Sequence, residues 1–130
     1  MRILFVCIEN AGRSQMAEGF AKTLAPSGME ISSAGSKPAR QINPIAVQVM
    51  RERGIDISAQ SPKGFEDLSS NLFDVVVGMG CQDACPSFTA QKHFFWEIPD
   101  PKNRPIETVR LIRNQIEAEV EKLFLELFDR

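Results

Sequence analysis

The strongest constraint on the fold is an abrupt change of hydrophobic period near the N-terminus. Arg2-Ile3-Leu4-Phe5-Val6 is a short apolar run without alternation, the pattern of a strand buried on both faces. Residues 7–12 read as a loop ending in Gly12. From Arg13 onward Met16, Phe20 and Leu24 recur four apart with Ala17 and Ala21 beside them, which makes one apolar helix face. A doubly buried strand followed at once by a helix needs cover on both sides, and a parallel sheet layered with helices supplies it.

The rest of the chain repeats that theme. Pro26 and Gly28 stop the first helix, Met29 to Ser33 form a second strand, and residues 34–41 read as a polar loop. Asn43-Pro44 is a helix start, with Asn as N-cap and Pro in the first helical position. Ile45, Val47 and Met50 follow, and Gly54 is the C-terminal stop. Residues 55–72 carry no clear period. Asp74 to Met79 hold Val75-Val76-Val77, a third buried strand. Residues 80–91 read as a loop with two cysteines, and His93-Phe94-Phe95-Trp96 as a fourth strand. Pro105 opens a last helix with the stripe Val109, Ile112, Ile116, Val120, Phe124 and Leu127, which fits docking on a sheet better than a coiled-coil seam. The order β-α-β-α-β-β-α gives an α/β fold, and 130 residues make one domain, residues 1–130, without a linker or an internal repeat.

Composition removes several functions. With 43% hydrophobic and 25% charged residues the chain is an ordinary globular protein rather than a disordered one. Fifteen basic against 17 acidic residues disfavour broad binding to nucleic acid. No apolar run approaches the roughly 20 residues of a membrane span. The first residues lack a secretory pattern, so the expected location is cytoplasmic. Three cysteines, an odd number, argue against a disulfide-stapled secreted fold.

Cys7-Ile8-Glu9-Asn10-Ala11-Gly12-Arg13-Ser14 sits between the first strand and the first helix, at the end of the sheet where α/β folds bind ligands. A helix N-terminus pointing into that loop offers free N–H groups and the positive end of a dipole to an oxyanion. Arg13 adds a planar fork able to grip two oxygens. The same field stabilises a thiolate on Cys7, and Ser14 can donate to its sulfur. A nucleophile and an oxyanion cradle are thus combined in eight residues. A buried Cys closing a strand is the plainer alternative.

These residues, with Gln15-Met16-Ala17-Glu18-Gly19-Phe20, Ser33-Ala34-Gly35, Asn43-Pro44 and Asp100-Pro101, resemble the low-molecular-weight protein tyrosine phosphatase superfamily. Arg13 to Glu18 most resemble its thiol-dependent arsenate reductase branch. The resemblance implies a four-stranded parallel sheet flanked by helices. It also implies Cys7 as nucleophile, Arg13 as oxyanion clamp, Ser14 as thiolate stabiliser, Asn10 as loop organiser and Asp100 as general acid. Ile8, Glu9, Asn10, Ala11, Gly12, Arg13 and Ser14 are then the oxyanion-binding residues. The chain departs from the pattern twice. Glu9 stands where Gly is common, and its carboxylate should point away from a bound anion. Gly12 stands where a second Cys often precedes the Arg.

Two prolines fix the backbone around Asp100, which suits a proton donor, although a turn Asp is the plainer reading. Cys81 and Cys85 are four apart and close enough in sequence for a disulfide, which suits a redox pair serving Cys7. Gly78 and Gly80 before them supply backbone freedom. A zinc site would need more ligands, and neither a metal nor a cofactor is expected. His93 reads as structural at a strand start, and Trp96 and the nine Phe as mostly core. Glu18 and Ser33 look like members of a potassium site seen in some relatives; Lys63 replaces the acidic member, either filling the cation's place or lying in solvent.

Three functions follow. A reductase would reduce arsenate with Cys81, Cys85 or a small thiol, restored by a thioredoxin-like or glutaredoxin-like partner. A phosphatase would hydrolyse a phosphomonoester through a cysteinyl-phosphate. A sensor would bind arsenic through three thiols. The absence of Tyr, Lys102 after Asp100-Pro101 and the spare thiols favour the reductase, acting as a monomer on an arsenate- or phosphate-type oxyanion.

Overall fold

The computed structural model describes residues 1–80 and 89–128. Cys81 and Cys85, and with them the expected redox pair, lie outside the described residues. The elements are β1 (Arg2–Cys7), α1 (Arg13–Leu24), β2 (Glu30–Gly35), α2 (Pro44–Arg51), β3 (Leu72–Met79), β4 (Thr89–Trp96) and α3 (Ile106–Phe128), with a 3₁₀ turn at Phe65–Asp67. The four strands form one parallel sheet in the order β2-β1-β3-β4. This is the α/β sheet read from the unbroken apolar runs.

Alternation along β1 sorts its side chains between two layers. Ile3, Phe5 and Cys7 face a core shared with Met16 and Phe20 of α1, Val49 and Met50 of α2, and the α3 stripe from Val109 to Phe124. Leu4 and Val6 face a smaller cluster with Ala34, Phe73 and Val76, covered by Phe65 and Leu68. The α3 stripe docks into the first layer, which removes the coiled-coil alternative. Arg110 and Arg113 of α3 clamp Glu52, just past α2, at 2.8 and 2.7 Å. Hydrogen bonds from Arg110 and then Arg113 hold that carboxyl well below its usual range, at about 2.

Boundaries differ from the sequence reading at three places. The second strand runs on through Ala34 and Gly35, residues expected in a loop, because they pair with Val6 and Cys7. Gly35 can do so for lack of a side chain: a Cβ there would meet the Ile8 carbonyl oxygen at 2.4 Å. The fourth strand starts at Thr89, not His93, because Leu72 and Phe73 extend β3 and give it partners. Gly78 is a ladder residue paired with Phe95 and Val6, so of the two glycines only Gly80, at φ +82°, uses glycine's freedom. The helix ends follow their signals: Asn43 Oδ1 accepts from Ile45 N–H, and Gly54 turns at φ +74°. Not every aromatic is core. Phe95 is 72% exposed, because Phe94 and Trp96 take the core side of β4. His93 is exposed mid-strand rather than at a strand start.

Candidate active site

β1 delivers Cys7 to the C-terminal edge of the sheet, and α1 begins six residues later with Gly12 as its N-cap and no side chain capping it. The intervening loop is held from outside. The carbonyls of Ile8, Glu9 and Ala11 accept from the N–H groups of Lys37, Ala39 and Asn43 at 2.8–2.9 Å. The Asn10 carbonyl accepts from Gln15 Nε2 at 2.9 Å. In a trans peptide the next N–H points the opposite way, and the described chain has no cis bond. The amides of Glu9, Asn10, Ala11 and Gly12 therefore all turn inward, a concave set of donors of the kind that binds anions. One of them is already in use: Asn10 N–H donates to Cys7 Sγ at 3.2 Å.

Asn10, for which the family resemblance implied an organising role, bonds to four residues around it. It sits at φ +52°, a left-handed conformation that costs most residues about 1–2 kcal/mol. It is fully buried. Its Oδ1 accepts from Lys63 N–H and Gln15 Nε2, both at 2.9 Å, which fixes the amide's orientation. Its Nδ2 then donates to Ser14 Oγ at 2.7 Å. Ser14 Oγ in turn lies 2.8 Å from Cys7 Sγ, a contact in which the hydroxyl donates to a thiolate or accepts from a thiol. The sulfur thus lies within hydrogen-bond reach of the Asn10 N–H and the Ser14 hydroxyl.

Arg13 is nearly buried and donates through Nη1 to the Ile98 carbonyl at 3.1 Å, with Nη2 3.8 Å from Asp100 Oδ2. Gly80 makes room for it: a Cβ there would lie 2.3 Å from Nη1. Asp100 has a side chain 56% exposed. Its Oδ1 accepts from Lys102 N–H at 3.0 Å, and Arg104 Nε donates to its backbone carbonyl at 2.8 Å. A cavity of about 520 Å³ connects these parts, lined by Cys7, Arg13, Asp100 and Lys102 and by an aliphatic wall of Ile42, Pro44 and Ile45. Glu9 also lines the cavity, and its carboxylate meets Lys102 Nζ at 2.8 Å, which raises the pKa of that lysine.

The structure therefore gathers Cys7, Ile8, Glu9, Ala11, Gly12, Arg13 and Asp100 around one cavity, while Asn10 and Ser14 do not line it and are fully buried. Sequence reasoning missed the support beneath it, buried Gln15 and half-buried Gln60, whose amides bond each other at 2.7 Å. Nothing in a helical pattern marks Gln15 as facing inward. Behind the loop Glu18 accepts from Ser33 and Lys22, and Lys63 Nζ stands 3.8 Å from it. Lys63 is thus an ion-pair partner of Glu18 and not simply a solvated lysine.

A parallel α/β sheet with a cysteine and an arginine bracketing a ring of inward amides defines a class of protein. The model of the family "Low molecular weight phosphotyrosine protein phosphatase" matches residues 2–130, and the chain belongs to that family. It is similar to the glutaredoxin arsenate reductase of Synechocystis sp., with 36% identity over 129 residues, covering 97% of this chain and 98% of that protein. Among solved structures it is similar to an arsenate reductase in the oxidized state, with 36% identity and a TM-score of 0.87 over 96% of this chain and 97% of that one. It is also similar to the thioredoxin-dependent arsenate reductase of Corynebacterium glutamicum, with 34% identity and a TM-score of 0.77, covering 96% of this chain and 60% of that one. Among the described residues no helix is long and apolar enough to cross a membrane.

Proposed function

We propose that this protein is an arsenate reductase in which Cys7 is the nucleophile. Its thiolate attacks arsenic, Arg13 and the inward amides hold the remaining oxygens, and Asp100 protonates the departing hydroxide, which leaves as water. A second thiol then attacks Cys7 Sγ. The sulfur–arsenic bond breaks, its electron pair reduces arsenic from the +5 to the +3 state, arsenite departs, and a disulfide remains. That thiol is Cys81 or Cys85, or a small thiol from outside. A thioredoxin-like or glutaredoxin-like protein returns the disulfide to thiols, in keeping with the names of the two relatives above.

The observation that favours arsenate over a phosphotyrosine-like ester is the cavity lining. Among the described residues no aromatic side chain borders the cavity, and a charged pair, Glu9 and Lys102, stands at its rim. Among the described lining residues an aryl group would find no ring to stack on. Phosphomonoester hydrolysis is the second reading, favoured by the family match, since its first step needs the same thiolate, amides and acid.

The test is arsenate-dependent thiol consumption measured separately with thioredoxin, glutaredoxin and a small thiol. Turnover with at least one of them is expected. Aryl phosphate hydrolysis without any arsenate-dependent thiol oxidation would replace the reductase reading with the phosphatase one. The double variant Cys81→Ser, Cys85→Ser locates the second thiol: turnover retained only with a small thiol assigns that thiol to the solution.

A further inference from the structure

Two residues of the oxyanion loop, Gly12 and Glu9, meet the loop that carries Asp100. Gly12 lies against Pro101, so closely that a Cβ on residue 12 would come within 2.7 Å of the proline ring. Glu9 Oε2 receives Lys102 Nζ at 2.8 Å, across 93 residues of sequence. These contacts flank Asp100 on its C-terminal side. Lys102 also donates its backbone N–H to Asp100 Oδ1, so the residue whose ammonium is anchored on Glu9 orients the carboxyl through its own peptide.

We propose that Glu9 and Lys102 form a clasp that positions Asp100 over Cys7, with the Gly12–Pro101 contact as its floor. The proposal rests on Asp100 being the proton donor and names the residues that hold it there. Asp100 needs such a device. Its side chain is more than half exposed and its distance to Arg13 is 3.8 Å, too long for a hydrogen bond to fix it. A misplacement of an ångström at a reacting group is costly in rate, so a contact remote from the chemistry can matter. The clasp has a second effect. A carboxylate in an anion-binding loop repels the substrate, and pairing Glu9 with an ammonium offsets that charge.

Both side chains are substantially exposed, and an exposed ion pair contributes little to stability. Breaking the clasp should therefore leave the melting temperature unchanged while altering a proton-dependent step, which a merely structural pair would not do.

The test compares Glu9→Gln, Lys102→Met and the charge-swapped double variant Glu9→Lys, Lys102→Glu, each with and without Asp100→Asn. Three substrates are used: arsenate, phenyl phosphate and p-nitrophenyl phosphate, the last with a leaving group that needs no proton. Each single variant should lower kcat/KM for arsenate and phenyl phosphate about tenfold. For both single variants the fall in kcat should be several-fold smaller with p-nitrophenyl phosphate than with phenyl phosphate, and for Lys102→Met KM should also rise, from the unpaired Glu9. The charge swap should recover most of the loss in kcat. In the Asp100→Asn background the clasp variants should cost no further kcat, since the group they position is gone. Equal loss of kcat on both esters, additivity with Asp100→Asn, or no loss at all would overturn the clasp. A wild-type protein that hydrolyses both esters but consumes no thiol with arsenate would refute the reductase reading and leave the clasp to be judged on the esters. One that reduces arsenate but hydrolyses neither ester leaves the double-mutant cycle on arsenate to decide. A protein inert to all three overturns both.

Discussion

The two loops that meet at the cavity are built in opposite ways. Residues 7–14 are over-determined: four carbonyls are tied outward, Asn10 alone makes bonds to Lys63, Gln15, Ser14 and Cys7, and Asn10 and Ser14 are fully buried. Residues 99–104 are mostly exposed and rest on Pro101, one lysine and one arginine. A site that must present fixed donors to a developing charge gains from rigidity, because the donors need no reorganisation when charge appears. A proton donor that must admit substrate and release water can sit on a lighter mount. In the first loop structure and chemistry share the same hydrogen bonds; in the second they are separable.

Variants at the rigid loop should have the largest effects on rate. Cys7→Ser keeps the Ser14 and Asn10 donors but puts a far weaker nucleophile among them, and it should abolish both arsenate reduction and phosphate ester hydrolysis. Residual arsenate turnover with this variant, measured against the solution thiol alone, would move the nucleophile elsewhere and dissolve the contrast. Arg13→Lys keeps the charge and loses the planar fork. It also leaves the Ile98 carbonyl and the space beside Gly80 to a smaller, more mobile group. The expected fall in kcat/KM is about 10²–10³-fold. A near-normal rate would mean that the amides hold the oxyanion unaided.

At the lighter loop the effect should depend on substrate. Asp100→Asn removes the acid but keeps an oxygen for Lys102 N–H, so the turn survives. Phenyl phosphate and arsenate should slow about a hundredfold and p-nitrophenyl phosphate hardly at all. A loss equal across leaving groups would make the Pro99-Asp100-Pro101 segment a structural turn and not an acid mount.

The same division governs what could be read from sequence. The sheet was legible because unbroken apolar runs such as Ile3 to Val6 have few alternatives, and α2 because Asn43-Pro44 and Gly54 mark its ends by mechanism. Cys7, Arg13 and Ser14 were legible because eight contiguous residues carry their own geometry. The strand extension through Gly35 was not, since it follows from the absence of a side chain opposite the Ile8 carbonyl, a contact 27 positions away in sequence. Nor were Gln15 and Gln60, whose pairing brings together residues 45 apart. The Glu9–Lys102 contact belongs to the same class: each residue reads as an ordinary surface charge until the fold joins them.

The smallest effect separates the two sources of rigidity in the first loop. Asn10→Ala removes the acceptor of the Lys63 N–H and the donor to Ser14, and it leaves a residue with a Cβ at φ +52°. Losing a buried acceptor costs about 1–3 kcal/mol, so chemical denaturation should show a loss in that range, whereas Asp100→Asn should show none. Asn10→Gly deletes the same hydrogen bonds but tolerates the left-handed backbone. Relief of the left-handed penalty, about 1–2 kcal/mol, is partly cancelled by the roughly 0.5–1 kcal/mol of extra freedom glycine has in the unfolded chain. Asn10→Gly should therefore be the more stable of the two by about 0.5–1 kcal/mol, while both lose activity alike because both release Ser14. If Asn10→Gly is instead the less stable of the two by about 0.5–1 kcal/mol, only glycine's extra freedom separates them, backbone strain contributes nothing and the loop is held by its hydrogen bonds alone. If Asn10→Gly keeps wild-type activity, the Asn10–Ser14 bond does not aim the serine proton at Cys7, and the coupling of structure to chemistry in this loop resides in its backbone.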